Sequence, residues 1–315
     1  MLLDEHWRTQ ARMGAEVSAA SLGAWSRVSP VSLRESGNAW LAFMLSLIRR
    51  ERSRSRRAAA SFYRLNRALE TGHTFPPLDG DHVPDVVALG ELREEWAQHT
   101  NRVRTPEPDD HVSVTVEDFD WPDDPEDDHD RAAVASLIST GPARVHQELE
   151  RLESRADDGG RLDDAGFLAD LDDLMARAGT TAAGAADREV LRGGRDLINR
   201  ASQADRRAVG WARVTDGDPC AWCAMLASRG AVYRSRAVAG IRGLEDGDLP
   251  AVHRDDLEKY HSNCHCQTVP VYSRNDHMTP QARDYHRQWR QVTRGTTGAE
   301  TLRVWRRHID AQRRG

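Results

Sequence analysis

The stretch Cys220-Ala-Trp-Cys223, followed forty residues later by Cys264-His-Cys266, contains all four cysteines of the 315-residue chain. Cysteines placed at random would rarely form two close pairs in so short a segment. A two-residue gap lets both thiolates of a pair face one ion, and a one-residue gap does so in a tight loop. The pattern therefore predicts that two distant segments are joined here, through a metal ion or through disulfides.

A closed structural zinc site is the interpretation that we favour for this pattern. Buried free cysteines are common, but they do not explain the pairing. Disulfides need an oxidising compartment, and the N-terminal residues Met-Leu-Leu-Asp-Glu-His do not resemble a signal peptide. A thioredoxin-like C-x-x-C motif needs a βαβ unit, which the helical surroundings do not offer. The predicted zinc ligands are Cys220, Cys223, Cys264 and Cys266, with His261 in place of one cysteine as the main variant.

The composition indicates a mainly α-helical protein. Aromatic residues make up 6% of the chain and charged residues 30%, with a mean hydropathy of −0.69. Alanine, leucine, arginine and glutamate predominate over β-branched residues, which favours helix. The most apolar run, residues 40–48, is too short to span a bilayer, so we expect no membrane segment. Of the 44 lysine and arginine residues, only Lys259 is a lysine, a bias typical of a GC-rich genome.

Hydrophobic periodicity places most of the chain in helices. Apolar residues at 40, 43, 44, 47 and 48 predict one buried face in a helix over residues 37–70, which Ser36 would cap. Alternation predicts a strand at residues 111–116, and two short strands at 231–234 and 268–272 are expected to pair as a hairpin that brings the cysteines together. Further helices are predicted over residues 4–28, 162–178, 180–214 and 278–315. Residues 131–158 are expected to form one or two helices, interrupted at Gly141-Pro142, and residues 89–99 either a short helix or an extended segment.

Charged residues are segregated along the chain. Residues 49–57 contain six arginines, whereas residues 105–130 contain twelve acidic residues and no lysine or arginine. The arginine run is either a solvated helix face or a contact to DNA or to an acidic neighbour, for which residues 105–130 are a candidate. Residues 120–130 lack the glycine and closing glutamate of a calcium loop. Asp187 and Asp196, among the arginines of a predicted helix, are expected to form exposed ion pairs of small energetic value.

The sequence contains none of the motifs that would identify a catalytic site. It has no P-loop, no G-x-S-x-G, no H-E-x-x-H and no glycine-rich dinucleotide fingerprint. A catalytic zinc would need three protein ligands and an open position near a general base. A site closed by four cysteines argues against that chemistry, and we therefore expect a protein that is not an enzyme.

The cysteine region resembles the MuF-like minor head protein module of tailed bacteriophages. In that module a helix ending in Trp-x-Arg precedes C-x2-C, and H-x2-C-x-C and a proline follow. Residues 62–72 are similar to a helix found near the N-terminus of the versions in actinobacterial phages. His265 departs from the family, which usually carries arginine between the last two cysteines. The matching positions are Trp211, Arg213, Cys220, Cys223, His261, Cys264, Cys266 and Pro270.

The resemblance implies a structural minor capsid protein that acts in head morphogenesis. It implies a location in the virion head interior near the portal, and in the host cytoplasm during assembly. The implied partners are the portal protein and major capsid or scaffolding proteins, and the basic C-terminal tail is compatible with contact to packaged DNA. The alternative function is a capsid maturation protease, or a fusion of one to a MuF-like protein. Known maturation proteases are rich in strands, which favours the structural interpretation here.

Together these observations predict long helices with a small α+β zinc-knuckle-like module near the C-terminus. We expect an N-terminal helical region at residues 1–104, an acidic linker or arm at 105–130, and a second helical region at 131–214. The cysteine module would occupy residues 215–272 and a basic helical tail residues 273–315.

Overall fold

Helices dominate the chain, as the composition predicts. The computed structural model describes residues 2–80, 84–100, 103–157, 164–215, 218–233, 260, 264, 266–273 and 278–314. Its helices are α1 (Leu2–Trp25), α2 (Leu33–Thr71), α3 (Leu89–Ala97), α4 (Glu126–Thr140), α5 (Pro142–Asp157), α6 (Asp164–Ala204), α7 (Ala221–Ala227), α8 (Pro280–Val292) and α9 (Gly298–Gln312). Its strands are β1 (His73–Thr74), β2 (Val86–Ala88), β3 (Ser113–Val116), β4 (Gly210–Val214), β5 (Ala231–Tyr233) and β6 (Gln267–Val271).

Three long helices form the framework, with α6 packed along both α1 and α2. The predicted apolar face of α2 is confirmed, since Trp40, Met44, Leu47 and Ile48 are buried while Phe43 is half exposed. One apolar cluster lies around these residues, and a second lies around the end of α2 and the strands. Burial of an apolar stripe, more than propensity, stabilises helices of this kind.

Consecutive glycines let α6 approach α2 closely. A Cβ atom on Gly193 would lie 2.5 Å from the carbonyl oxygen of Arg52, and one on Gly194 would lie 2.8 Å from Ser55 Oγ. Side chains at these two positions would therefore separate the helices. Glycine inside a helix costs about 1 kcal/mol relative to alanine, which this packing offsets.

Two predicted helix boundaries in the centre of the chain were wrong. The helices expected at 162–178 and 180–214 are one helix, α6, in which Gly179 packs against the Trp25 indole instead of ending a helix. That helix ends at Ala204, and residues 210–214 form strand β4. The predicted cap was also wrong: α2 begins before Ser36, whose hydroxyl instead bonds to the backbone of Ser29 and Ser32.

The strand predicted at residues 111–116 is confirmed as β3, which begins two residues later. It is the central strand of a small sheet, parallel to β1 and antiparallel to β2. Val114 faces the core with 2% of its surface exposed, and Phe119 stacks on Phe75 with ring centroids 3.8 Å apart. This part of the acidic segment is therefore packed on the helical framework.

The second sheet has the order β5-β4-β6, and both pairings are antiparallel. The predicted hairpin between residues 231–234 and 268–272 was wrong, because each strand pairs with β4, which lies between them. Trp211 and Arg213 lie on β4, opposite Pro270 and Thr268, and not at a helix end. All five residues of β4 are buried, so the strand lacks the polar alternation that would have revealed it.

The arginine run binds the acidic segment of the same chain. Arg52, only 2% exposed, contacts Asp130 at 2.7 Å, and Arg49 contacts the same carboxylate at 2.6 Å. Arg56 donates a hydrogen bond to the carbonyl oxygen of Pro122. The acidic neighbour considered from the sequence is therefore confirmed for these three arginines.

His129 and the two aspartates of α6 extend these polar contacts. His129 is buried and lies 3.0 Å from Asp124 and 2.9 Å from Asp196, which also contacts Arg192 at 3.3 Å. The prediction of an exposed ion pair was wrong for Asp187, because that residue is 2% exposed. It faces α1, where a Cβ on Gly14 would collide with its carboxylate.

The C-terminal helices pack against the cysteine region. Trp289 of α8 and Trp305 of α9 are each 1% exposed, with ring centroids 5.1 Å apart. They share a core with Met225 and Leu226 of α7, and Trp305 donates a hydrogen bond to the carbonyl oxygen of Ala221 at 2.7 Å. None of the helices described combines the length and apolarity that a membrane span requires.

Candidate metal centre

Three of the four cysteines converge in the interior. Cys223 lies in α7, whereas Cys264 and Cys266 directly precede β6. Their sulfur atoms all lie within 4.8 Å of one another, and each residue is 2% exposed. The sulfur atoms of Cys223 and Cys264 are 3.4 Å apart. Segments about forty residues apart in sequence therefore meet at one point.

The spacing of these sulfur atoms fits a metal ion and not a disulfide. Zinc–sulfur bonds of about 2.3 Å in a tetrahedron place neighbouring sulfurs about 3.8 Å apart. The separation of 3.4 Å between Cys223 and Cys264, and the limit of 4.8 Å within which all three sulfur atoms lie, are compatible with that value. A disulfide needs about 2.05 Å, and all four cysteines are free thiols. The antiparallel sheet around them also excludes the thioredoxin-like interpretation, which requires parallel strands.

Cys220 lies beside this cluster at the start of α7. As the N-cap residue it accepts a hydrogen bond from the Cys223 backbone N–H at 3.4 Å, and it packs half-buried against the other three cysteines. A donor to sulfur favours the thiolate form that binds metal. His261 and His265 lie outside the residues that the structure describes, so the proposed ligation by His261 stays a prediction.

Hydrogen bonds among the buried thiols shift their pKa values in opposite directions. Hydrogen bonding from Cys223, and then from Cys266, holds the pKa of the Cys264 thiol far below its ordinary value, and the Arg195 guanidinium acts in the same direction. Hydrogen bonds with Cys220 and Cys264 raise the pKa of Cys223. A thiolate beside further sulfur atoms is the donor set that zinc and other thiophilic metals prefer.

Two buried arginines and a tyrosine surround the cluster, and the sequence analysis did not identify their role. Arg195 of α6 donates to the carbonyl oxygens of Cys264 and Cys266, the latter at 3.0 Å. The guanidinium carbons of Arg195 and Arg213 lie 4.0 Å and 4.1 Å from the ring centroid of Tyr260. Burial alone would lower the pKa of Arg213, but Tyr260 and the cysteines raise it.

Two arginines can offset the negative charge that a divalent metal would have with three or four thiolates. A Zn²⁺ ion with three thiolates has a net charge of −1, and with four thiolates −2. The guanidinium groups of Arg195 and Arg213 offset that charge inside the protein, where an unpaired charge would be costly. No local signal in the sequence marks Arg195, because it lies about seventy residues before the cysteines that it contacts. The cluster and Arg195 together join α6, α7 and the residues that precede β6.

Comparisons with known proteins agree with a phage origin for this module. Residues 143–292, a little under half of the chain, match the family model "VG15 protein", from the start of α5 to the end of α8. The chain is 38% identical over 114 residues to the Gene 15 protein of Mycobacterium phage L5, covering 28% of this chain and 38% of that protein. It is 33% identical over 102 residues to the Gene 15 protein of Mycobacterium phage D29, covering 27% of this chain and 37% of that protein.

The chain thus spans less than two fifths of the length of these curated relatives. No solved structure matches it. The similarities indicate a phage protein of the actinobacterial-phage type.

Proposed function

We propose that the chain is a structural minor head protein of a tailed phage, and that its cysteine cluster holds a structural zinc ion. The observation that carries this proposal is the meeting of Cys223, Cys264 and Cys266 at metal-ligand spacing, within the part of the chain that matches the VG15 family. The resemblance of the same motif to MuF-like minor head proteins supplies the place in the virion.

The zinc ion would contribute to the stability of the C-terminal module. The module has a small core, in which α7 packs against Trp289 and Trp305. Structural zinc supplies folding free energy on the order of 10 kcal/mol in small domains. A zinc ion that joins α7 to β6 would hold the sheet and the C-terminal helices together. Such a rigid module could serve as a scaffold on which other proteins dock.

We also propose that the chain is not itself an enzyme. Each of the three thiols is about 2% exposed, so a metal held there would be shielded from a substrate, which supports a structural role. Co-expression with the major capsid protein is therefore expected to give no cleavage that depends on this chain. Loss of an observed cleavage on replacing one serine or histidine here would favour the protease alternative.

The proposed partners are the portal protein and the major capsid or scaffolding proteins, with packaged DNA beside the C-terminal helix. Exposed Arg303, Arg306 and Arg307 on α9 support the DNA contact, because arginine binds phosphates in a salt-dependent way. We expect mass spectrometry of purified virions to find the chain at far lower copy number than the major capsid protein. It should also co-purify with portal. Absence from virions together with failure to bind portal would refute the assignment.

The zinc centre is tested by elemental analysis of the purified protein. We expect about one zinc per chain, lost in Cys264→Ser and retained in Ser139→Ala, a control in an exposed part of α4. Cys220→Ser and His261→Ala compare the two candidates for the fourth ligand, since replacing a ligand should weaken zinc retention. Wild-type protein that is free of zinc and melts unchanged after chelation would refute the centre.

A further inference from the structure

A cavity of about 560 Å³ lies on one side of α6 and is lined by four arginines of that helix. These are Arg188, Arg192, Arg195 and Arg200, which the helical repeat brings toward one side. Ala132 of α4 and Tyr260 are the lining residues that come from outside α6. The volume lies within the range of about 300–1,000 Å³ that is common for small-molecule sites.

The carboxylates of the cavity do not neutralise all four arginines. Glu189 contacts Arg188 at 2.7 Å, and Asp196 contacts Arg192 at 3.3 Å. Arg195 and Arg200 have no carboxylate within ion-pair distance among the described residues, and they donate instead to backbone carbonyl oxygens. The lining side chains therefore carry an excess of two positive charges, of which the charge of Arg195 is shared with the cysteine cluster and that of Arg200 is not.

One of these cations is buried with a free donor. Arg195 is 1% exposed, and its Nη1 group has no acceptor among the described residues. One turn further along α6, the buried Oδ1 of Asn199 likewise has no partner, and rotation of this amide would present its NH₂ group instead. A buried donor left unpaired costs about 1–3 kcal/mol. An anion in the cavity would remove that cost at Arg195.

Tyr260 determines which part of a ligand the cavity can recognise. The guanidinium groups of Arg195 and Arg213 each lie over its ring, about 4 Å from the ring centroid. Its hydroxyl lies 2.7 Å from Thr268 Oγ1. Two cations already stack on this ring and compete with a nucleobase for it, whereas several guanidinium groups can bind the oxygens of a phosphate.

We propose that this cavity binds the phosphate groups of a nucleotide or of a nucleic-acid backbone, by charge and without reading the base. The proposal is based on residues of α6 and α4 and on Tyr260. It depends neither on the zinc ion nor on the proposed location in the virion. It differs from the DNA contact proposed for α9, which lies on an exposed helix face.

The test is calorimetric titration of the full-length protein with pyrophosphate, ATP and a short oligothymidylate. Arg192→Gln is the main variant, because Arg192 is 41% exposed and its loss should not unfold the chain. Arg177→Gln is the matched control on the same helix, since Arg177 is 61% exposed and lies outside the cavity. Arg195→Lys keeps the buried charge but removes the guanidinium fork, and circular dichroism verifies its fold.

We expect pyrophosphate and ATP to bind with similar affinity. Arg192→Gln should weaken both about tenfold, the effect of losing one charge-assisted hydrogen bond, while Arg177→Gln changes neither by more than about twofold. If the oligothymidylate competes with pyrophosphate, the ligand is the phosphate backbone of a nucleic acid. If it does not compete, the ligand is a small molecule that carries phosphate. Either result supports the site. Absence of saturable pyrophosphate binding, binding of ATP alone, or equal loss in Arg192→Gln and Arg177→Gln would overturn it. Zinc analysis of the same samples shows whether a loss of phosphate binding is accompanied by a loss of zinc, so the two proposals are tested separately.

Discussion

His6 makes the stability of the helical framework sensitive to acid. Its side chain is fully buried in α1 and stacks on Phe62, with ring centroids 4.0 Å apart. Neither ring nitrogen has a partner among the described residues. Burial disfavours the charged imidazolium and lowers the pKa of His6 from 6.5 to about 3. The folded protein therefore keeps this histidine neutral at pH values where the unfolded chain protonates it.

The sign and size of the effect follow from proton linkage. Above pH 6.5 both states are neutral at His6, and this residue contributes no pH dependence. Below that value the unfolded state binds a proton that the folded state does not, so the free energy of unfolding falls by about 1.4 kcal/mol per pH unit. At pH 5 the loss is about 2 kcal/mol, and near pH 3 it reaches about 4 kcal/mol.

Replacing His6 by phenylalanine should remove this loss while keeping the aromatic stack on Phe62. In urea unfolding, we compare the free energy of unfolding of His6→Phe with that of the wild type. This difference should shift by about 2 kcal/mol in favour of the variant when the pH is lowered from 7.5 to 5. Other titrating groups cancel in that difference. His146→Gln, a replacement of a histidine that is 67% exposed on α5, is the control that separates the effect of burial from that of losing a histidine. A difference between wild type and His6→Phe that stays constant over this pH range would refute the reasoning.

Two further predictions concern packing and a second histidine. Gly193→Ala should destabilise the protein by about 2 kcal/mol, because the new methyl group meets a backbone oxygen; Gly23→Ala, where nothing lies within 4 Å, should stabilise it by about 0.5–1 kcal/mol. Equal thermal shifts for the two variants would contradict the close approach of the helices. Burial alone would lower the pKa of His129, but its hydrogen bonds to Asp124 and Asp196 raise it, so its stabilising contribution is present below pH 6.5 and lost as pH rises through the raised value. His129→Gln should therefore destabilise more at pH 6 than at pH 8.5 in the same urea assay, and a larger loss at pH 8.5 would reverse the assigned sign.

Local patterns predicted those parts of the fold that local interactions determine. The apolar stripe of α2 and the paired cysteines are both visible within short stretches of sequence, and the structure places three of those cysteines together. Strand β4 was missed because all of its side chains are buried, which removes the alternation that marks a strand at a surface. Its neighbours β5 and β6 were found, but their pairing depends on β4 and so could not be assigned.

Long-range contacts explain the remaining differences. Asp187 looked like an exposed partner for the arginines around it, yet the fold buries it against α1. Arg195 lies in the same arginine-rich helix, and only the fold reveals its contact with Cys264 and Cys266. The sequence is sufficient to assign both residues to an arginine-rich helix. It is not sufficient to predict which helix or loop each of them faces.

The pairing of charges also determines which arginines remain available to bind a ligand. In the run at residues 49–57, Arg49 and Arg52 bind Asp130, and Arg54 contacts Glu16 at 3.1 Å. The first two hold the acidic segment on the framework and Arg54 contacts α1, so the density of arginines in this run is no measure of affinity for DNA. Arg195 and Arg200 differ because the carboxylates beside them pair with other residues. A ligand that carries phosphate would therefore gain more at the cavity on α6 than along α2, although α2 has the denser run of arginines.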